Sequence, residues 1–381
     1  MPGLGAEAGR TTLGVLTKPK DAAFPPAAQV AALQETLLAW YSACRRDLPW
    51  RRTRDPYAIW VSEIMLQQTR VETVIPYFER FMTRFPTAFA LAEAPPDEVM
   101  AAWSGLGYYR RARMLLDGAR VVAGAGGGVP GDRTALLEVP GIGKYTAGAI
   151  ASIAFGEPVG LVDGNVARVL ARLFAIDEDM RKKGMRTAEA LADGIVARHD
   201  PGGWNQALME LGATVCTPRS PACSICPLAK LCRARAEGRV AQLPVLSPKA
   251  SPKAQRVQTI VARSAEGRVV LARRSRGGLF GGLWEPPCID GPAKARAQLK
   301  VWLPVGALKA SGVVEHVLSH RKLTIDVMRA ELTDSVAPLR IPREAGYDSA
   351  KLVTAEQMDG LGMSTLARKV LAAAGIRVAA R

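Results

Sequence analysis

No stretch of this 381-residue chain reaches the roughly 18 uncharged apolar residues that a membrane-crossing helix needs, so no membrane-embedded role is expected. Cysteine is scarce, with six in all. Four of them crowd between Cys216 and Cys232 while Cys44 and Cys288 stand alone, so an evenly spread disulfide framework is excluded and a reducing compartment is expected. Acidic residues are in deficit, 35 Asp+Glu against 51 Lys+Arg, for a formal charge of +16. Such a balance favours a polyanionic partner, nucleic acid or an anionic surface. Residues 1 to 26 show neither a basic start followed by an apolar segment nor a cleavage site, so a cytoplasmic, nucleoid-associated protein is expected. There is no internal repeat.

The length suits two to three domains, each able to bury a core without cross-links. Residues 1–25, rich in Gly, Ala and Pro, read as a disordered lead-in. Apolar residues then recur at helical spacing in Val30-Leu33-Leu37-Leu38, Val71-Val74-Ile75-Phe78 and Val166-Val169-Leu170-Leu173. An all-helical domain is therefore placed at 26–240. Pro244, Ser247, Pro248, Ser251 and Pro252 mark residues 241–255 as a linker. From 256 to 378 the texture changes to two β-rich runs joined by Ser264-Ala-Glu-Gly, followed by helical pattern at Pro292–Leu303 and Ser364–Ala374. The fold class is thus multidomain, an all-α domain followed by a mixed α/β one.

Cys216, Cys223, Cys226 and Cys232 form C-x6-C-x2-C-x5-C, close enough for four thiolates to converge on one metal centre. Spacing alone leaves tetrahedral zinc and an iron–sulfur cube both open, although the x6 and x5 gaps differ from the paired CxxC of most zinc ribbons. Nearby, residues 230–256 hold seven Lys/Arg and a single acid, Glu237. Lys230, Arg233 and Arg235 could meet phosphates or form a merely solvated face.

Pro140-Gly-Ile-Gly143 makes a tight turn between two helical patterns, and its glycines let backbone amides come close to a phosphate oxygen. Gly141, Gly143 and Lys144 are the candidate backbone contacts. Some twenty residues on, Leu161-Val-Asp-Gly-Asn-Val-Ala-Arg places Asp163 just ahead of an amphipathic helix, where residue chemistry by itself gives it the role of an N-cap. A carboxylate can cap and catalyse at once.

The cysteine spacing closely following Leu211-Gly212 resembles the 4Fe-4S loop of the endonuclease III superfamily of helix-hairpin-helix DNA glycosylases. The turn with Asp163 resembles that superfamily's hairpin and catalytic aspartate. Leu48-Pro-Trp-Arg-Arg and Ser62-Glu-Ile-Met-Leu-Gln-Gln-Thr-Arg-Val-Glu-Thr-Val are more specific, and together they closely resemble the adenine DNA glycosylase (MutY) family. The resemblance spans about Leu37 to Leu323. It implies a helix-hairpin-helix glycosylase domain holding a 4Fe-4S cluster through Cys216, Cys223, Cys226 and Cys232, and a Nudix-like domain behind it. It further implies excision of adenine opposite 8-oxoguanine or guanine in double-stranded DNA, by a monomer, as the first step of base excision repair.

By that resemblance, Glu63 protonates the leaving adenine, and helical spacing sets it near Ile59, Leu66 and Gln67, where apolar neighbours favour the protonated acid. Asp163 stabilises an oxocarbenium-like cation while Asn165 orients water and carboxylate. Trp50, Arg51, Leu66 and Gln206 line a pocket for the extruded base, Tyr145 lies near the sugar, and Gln68 and Tyr108 wedge into the duplex. Ordinary packing is the competing role for Trp50, Leu66 and Tyr108. Tyr145 stands where lyase members carry the Schiff-base lysine, so a monofunctional enzyme is expected, with any lyase activity left to Lys144. A glycosylase-lyase for oxidised pyrimidines and a catalytically silent DNA-binding module are the alternatives.

Gly281-Gly-Leu-Trp-Glu-Pro-Pro resembles a Nudix string, yet no R-E-x-x-E-E run follows, and magnesium-dependent pyrophosphate cleavage is not expected. The family's 8-oxoguanine reader has a Phe-Ser-His core. Here His316-Val-Leu-Ser-His320 puts Leu318 at the Phe position, which leaves Ser319 and His320 to hydrogen-bond the oxidised base without the aromatic stack.

Overall fold

The computed structural model describes residues 24–333, 339 and 341–378; of the expected lead-in, residues 1–23 lie outside that range. In chain order the helices are α1 (Ala27–Cys44), α2 (Pro56–Leu66), α3 (Val71–Arg84), α4 (Ala88–Glu93), α5 (Pro96–Ala102), α6 (Arg110–Gly124), α7 (Arg133–Leu137), α8 (Lys144–Phe155), α9 (Gly164–Leu173), α10 (Lys183–Gly194), α11 (Pro201–Thr214) and α12 (Arg233–Ala236). No strand interrupts this run, as the helical periodicity requires. The chain divides into two compact units, and both are discontinuous in sequence: one takes residues up to 45 with 158–247, the other 46–157 with 248 onward.

The first unit is built around α9, which packs against α10, α11 and α12, while α1 lies along α11. The helix α9 starts where Asp163 accepts the Val166 amide at 2.7 Å, so the bland role read from the sequence is real. Its apolar stripe of Val166, Val169, Leu170 and Leu173 is buried. At Gly212 on α11, an added Cβ would come within 2.7 Å of the Asn165 side chain; the missing side chain is what lets α11 lie so close to the head of α9. The Pro-rich stretch after α12 is no free tether over its first half. Arg172 donates to the carbonyls of Val240 (3.1 Å) and Leu243 (2.9 Å), and the Met180 amide bonds the Val245 carbonyl.

In the second unit α2 is the central helix. Asp55 caps it by accepting the Tyr57 amide, Pro56 opens it, and every residue from Tyr57 to Met65 is buried, Glu63 included. It packs against α3, α6 and α8, and the small residues Ala147, Gly148, Ala149 and Ala151 make α8 narrow enough to approach. The turn before α8 needs its glycine: Gly141 has φ +85°, and a Cβ there would sit 2.7 Å from Met114.

The same unit contains a mixed sheet of β1 (Lys253–Arg263), β2 (Val269–Arg274), β3 (Trp284–Glu285), β4 (Cys288–Asp290), β5 (Lys309–Val317), β6 (Arg321–Glu331) and β7 (Tyr347–Val353). Its order is β3-β2-β1-β6-β5, with β4 beside β1 and β7 beside β2. The strands β1 and β6 run parallel in unbroken register from Lys253 opposite Arg321 to Arg263 opposite Glu331. Alternation along β1 sends Val257 and Val261 into one core and Ile260 and Ala262 into another, so the sheet is covered on both faces. The helices α13 (Arg296–Trp302), α14 (Ala355–Asp359) and α15 (Thr365–Ala373) complete the unit; α15, capped by Ser364, packs against β3, β5 and β6, and α13 packs against β1 and β4.

Candidate active site

Glu63 is 4 % exposed, on the turn of α2 that faces α8. From α8, Tyr145 donates its hydroxyl to Glu63 Oε2 at 2.6 Å. The burial expected for this acid is present, and its partner is a phenol that sequence spacing could not have supplied. Near it, Gln67 reaches the Thr146 hydroxyl at 3.4 Å. Leu66 is half-buried and Gln68 exposed. Trp50 meets Phe78 edge to face at 5.5 Å and is buried, a contact that fixes the orientation of its ring. Arg51 Nη1 donates to the Arg46 carbonyl at 3.1 Å. Gly141 is half-buried, and Gly143 and Lys144 are exposed at the head of α8.

The Ser62–Val74 string and the segment Gly105-Leu-Gly-Tyr-Tyr each contain one strained backbone. Gln68 has φ +57° and Tyr108 φ +46°. Tyr108 is 49 % exposed, which settles against ordinary packing for it, and its hydroxyl lies 3.3 Å from Ser319 Oγ. Ser319 and His320 are exposed in the turn between β5 and β6, closed by the Leu318 amide on the Arg321 carbonyl. Leu318 itself turns inward and packs against the core beneath the sheet.

The other unit carries the second constellation. Asp163 Oδ2 accepts from the Asn165 amide at 3.1 Å, while Oδ1 holds the helix cap. Both oxygens therefore accept from N–H donors, although burial, the largest influence, pushes this carboxyl above the ordinary aspartate range. Asn165 is fixed in turn by Arg168, whose Nη2 donates to Asn165 Oδ1 at 2.9 Å and to the Gly212 carbonyl at 2.8 Å, and whose Nε donates to the Cys216 carbonyl at 2.7 Å. Gln206 accepts from the Tyr41 hydroxyl at 3.2 Å.

Cys216, Cys223, Cys226 and Cys232 wall one cavity together with Arg172, Val215 and Ala229. Among the described residues no group of three or more His, Cys, Asp or Glu is set to hold a single ion; the thiols surround a space instead of meeting at a point. Burial pushes Cys226 up to about 11 and raises Cys232, and the neighbouring cysteines push both the same way. Four thiolates this close repel one another unless cations lie among them, which is what an iron–sulfur cluster provides. Arg172 Nη1 points at Cys216 Sγ at 3.4 Å and closes the loop onto α9. The donor set fits the group.

Sequence reasoning missed Arg111, Arg168 and Arg172. For the last two a signal existed, since arginines four apart on a helix with an otherwise buried apolar face must find carbonyls to satisfy them. Arg111 gave no such signal.

A helical hairpin domain with a cysteine loop, followed by a sheet domain lacking the acidic catalytic run, defines a class. Residues 61–193 match the model of the HhH-GPD superfamily base excision DNA repair protein, 216–232 the iron-sulfur binding domain of endonuclease III, and 258–373 the NUDIX domain. The chain is therefore a base excision DNA repair protein with a 4Fe-4S site and a Nudix-like domain. Among solved structures, a thermostable thymine-DNA glycosylase superposes with a TM-score of 0.51 at 33 % identity, covering 55 % of this chain and 98 % of that one. The adenine DNA glycosylase of Homo sapiens is 38 % identical over 91 % of this chain and 74 % of its own, and that of Schizosaccharomyces pombe 32 % identical over 79 % and 82 %. The chain belongs to the adenine DNA glycosylase family.

Proposed function

We propose that this protein is a monofunctional glycosylase that removes adenine paired with 8-oxoguanine or guanine from double-stranded DNA. The observation that carries the chemistry is the buried Glu63 held by the Tyr145 hydroxyl at 2.6 Å. Adenine leaves poorly as an anion. A proton from Glu63 to its N7 lets the N9–C1′ bond break with the electron pair going to a neutral base, a contribution of about 10²- to 10⁴-fold. Asp163, ionised, supports the cation at C1′, with Asn165 holding the carboxylate and the attacking water. Water places its hydroxyl on C1′, and the proton it sheds restores the acid.

Tyr145 cannot form a Schiff base, because an amine is required; the product is then an intact abasic strand. Cys216, Cys223, Cys226 and Cys232 hold the 4Fe-4S cluster, which cross-links their loop and presents Lys230, Arg233 and Arg235. Trp50, Arg51, Leu66 and Gln206 receive the extruded base, Gln68 and Tyr108 fill the gap it leaves, and Ser319 and His320 read the opposite base. The placement of Tyr108 beside Ser319 supports that reader, and the inward Leu318 removes a stacking surface from it. The protein acts as a monomer.

The test is single-turnover base release from duplexes with A opposite 8-oxoguanine, G or T, with and without alkali. Alkali-dependent breaks at adenine, fastest opposite 8-oxoguanine, are expected. Equal rates opposite 8-oxoguanine and G would remove the reader, and a covalent adduct trapped by borohydride would replace the chemistry with that of a lyase.

A further inference from the structure

Left-handed backbone at a non-glycine residue costs on the order of 1–3 kcal/mol and persists only where its surroundings over-determine it. Gln68 and Tyr108 both adopt it, so something must hold them. One side chain touches both segments. From the first turn of α6, Arg111 Nη1 donates to the carbonyls of Ile64 (2.9 Å), Met65 (2.9 Å) and Gln67, while Nη2 donates to the Thr69 hydroxyl (3.1 Å) and to the carbonyls of Leu106 and Gly107 (3.2 Å each). The first carbonyls are the unsatisfied C-terminal ones of α2, where a cation also meets the negative helix end.

The guanidinium lies over both the Trp103 and the Tyr108 ring, 5.5 and 5.4 Å from their centroids. Tyr109 secures the far side of the same loop. Its hydroxyl accepts the Gly105 amide at 3.2 Å and donates to the Met363 carbonyl at 2.7 Å.

We propose that Arg111 is a positioning residue for base extrusion: it locks Gln68 and Tyr108 into one wedge of fixed separation, so that both enter the duplex together. The proposal rests on the wedge reading given above. A planar fork is needed, because an ammonium has too few donors and the wrong shape to bridge two loops. Arg111 touches neither base nor sugar, so its removal acts on the step before bond cleavage. A misplacement of about 1 Å in such a site can cost about 10²-fold in rate.

The experiment compares Arg111→Lys and Arg111→Ala with the parent, each full-length and with its iron content matched. The probe is a duplex carrying 2-aminopurine in place of the target adenine opposite 8-oxoguanine, whose fluorescence rises on unstacking. Both variants should lose most of that rise and slow single-turnover adenine release by roughly 10²-fold. Free guanidinium at millimolar concentration should restore part of both in Arg111→Ala, and none in Arg111→Lys, where the ammonium fills the space.

Normal extrusion in Arg111→Lys would overturn the proposal. So would a loss that tracks only the unfolded fraction in a melt, without guanidinium rescue. Gln68→Ala and Tyr108→Ala run alongside. If they extrude normally the wedge reading itself falls; if they fail while the Arg111 variants behave as the parent, only the role of Arg111 falls.

Discussion

At Glu63 the proposed chemistry depends on one proton held in a dry place. Glu63→Gln keeps the shape and loses the proton, so base release should fall by at least about 10²-fold while duplex affinity holds; near-parent release in that variant would end the general-acid assignment. Tyr145→Phe removes only the hydroxyl. Glu63 becomes a carboxylate as its proton leaves, and a hydrogen bond to a charged group is worth about 1.5–3 kcal/mol, so release should slow by roughly 10- to 100-fold, measured under single turnover. The acid side of the pH–rate profile belongs to Asp163. Burial raises its carboxyl, and the ionised form is the active one, so the rate should decline on acidification at a pH above the usual aspartate value of 3.8. Stability runs the other way: a carboxyl that holds its proton more tightly when folded contributes most below its unfolded pKa, and that contribution is lost as pH rises through the folded one. A rate flat down to pH 3.8 would show that Asp163 is not needed ionised. Glu63 was legible as a buried acid because helical spacing put apolar residues around it. Tyr145 as its partner was not, since 82 residues separate them and only the packing of α8 on α2 brings them together.

Asp163 caps α9 and, in the proposed reaction, supports the cation; two substitutions separate these duties. Asn is as good a cap as Asp, so Asp163→Asn should keep the melting temperature and lose release. Asp163→Ala should lose release and also about 1 kcal/mol of stability. Equal melting curves for both would mean that the cap bond contributes nothing. The cysteine loop allows a similar dissection. Cys226→Ser should lower bound iron and the visible absorbance together, and weaken duplex binding by freeing Lys230 and Arg235; retained iron with normal binding would exclude it as a ligand. In the sequence, α9 was visible from its stripe and its cap, and the loop from its spacing. The link between them was not: the spacing of Arg168 and Arg172 shows that they need carbonyls, but which backbone carbonyls they reach carries no sequence signature. Strands β1 and β2 were legible from β-branched runs. The long partners β5 and β6 were missed, for Lys309–Val317 is largely exposed and shows no clean alternation.

The charge of +16 belongs to the whole molecule, and so does its prediction. Duplex affinity should fall linearly on logarithmic axes as salt rises, by about 0.9 per phosphate neutralised. Replacing Lys230 and Arg235 by Gln together should make that slope shallower by about 2, and an unchanged slope would place the phosphate contacts elsewhere. The division of the chain has a consequence for its birth on the ribosome. Helix α1 finds its partner only when Pro201–Thr214 has been made, and β1 waits some sixty residues for the parallel strand β6. Neither unit is continuous in sequence, so neither can close early, and such non-local pairing folds slowly. The first unit has all its residues once 247 has emerged, whereas the second must keep a half-built core out of trouble until its sheet is complete; truncated chains stalled between residues 250 and 320 should protect 158–247 from protease and leave the unfinished sheet open.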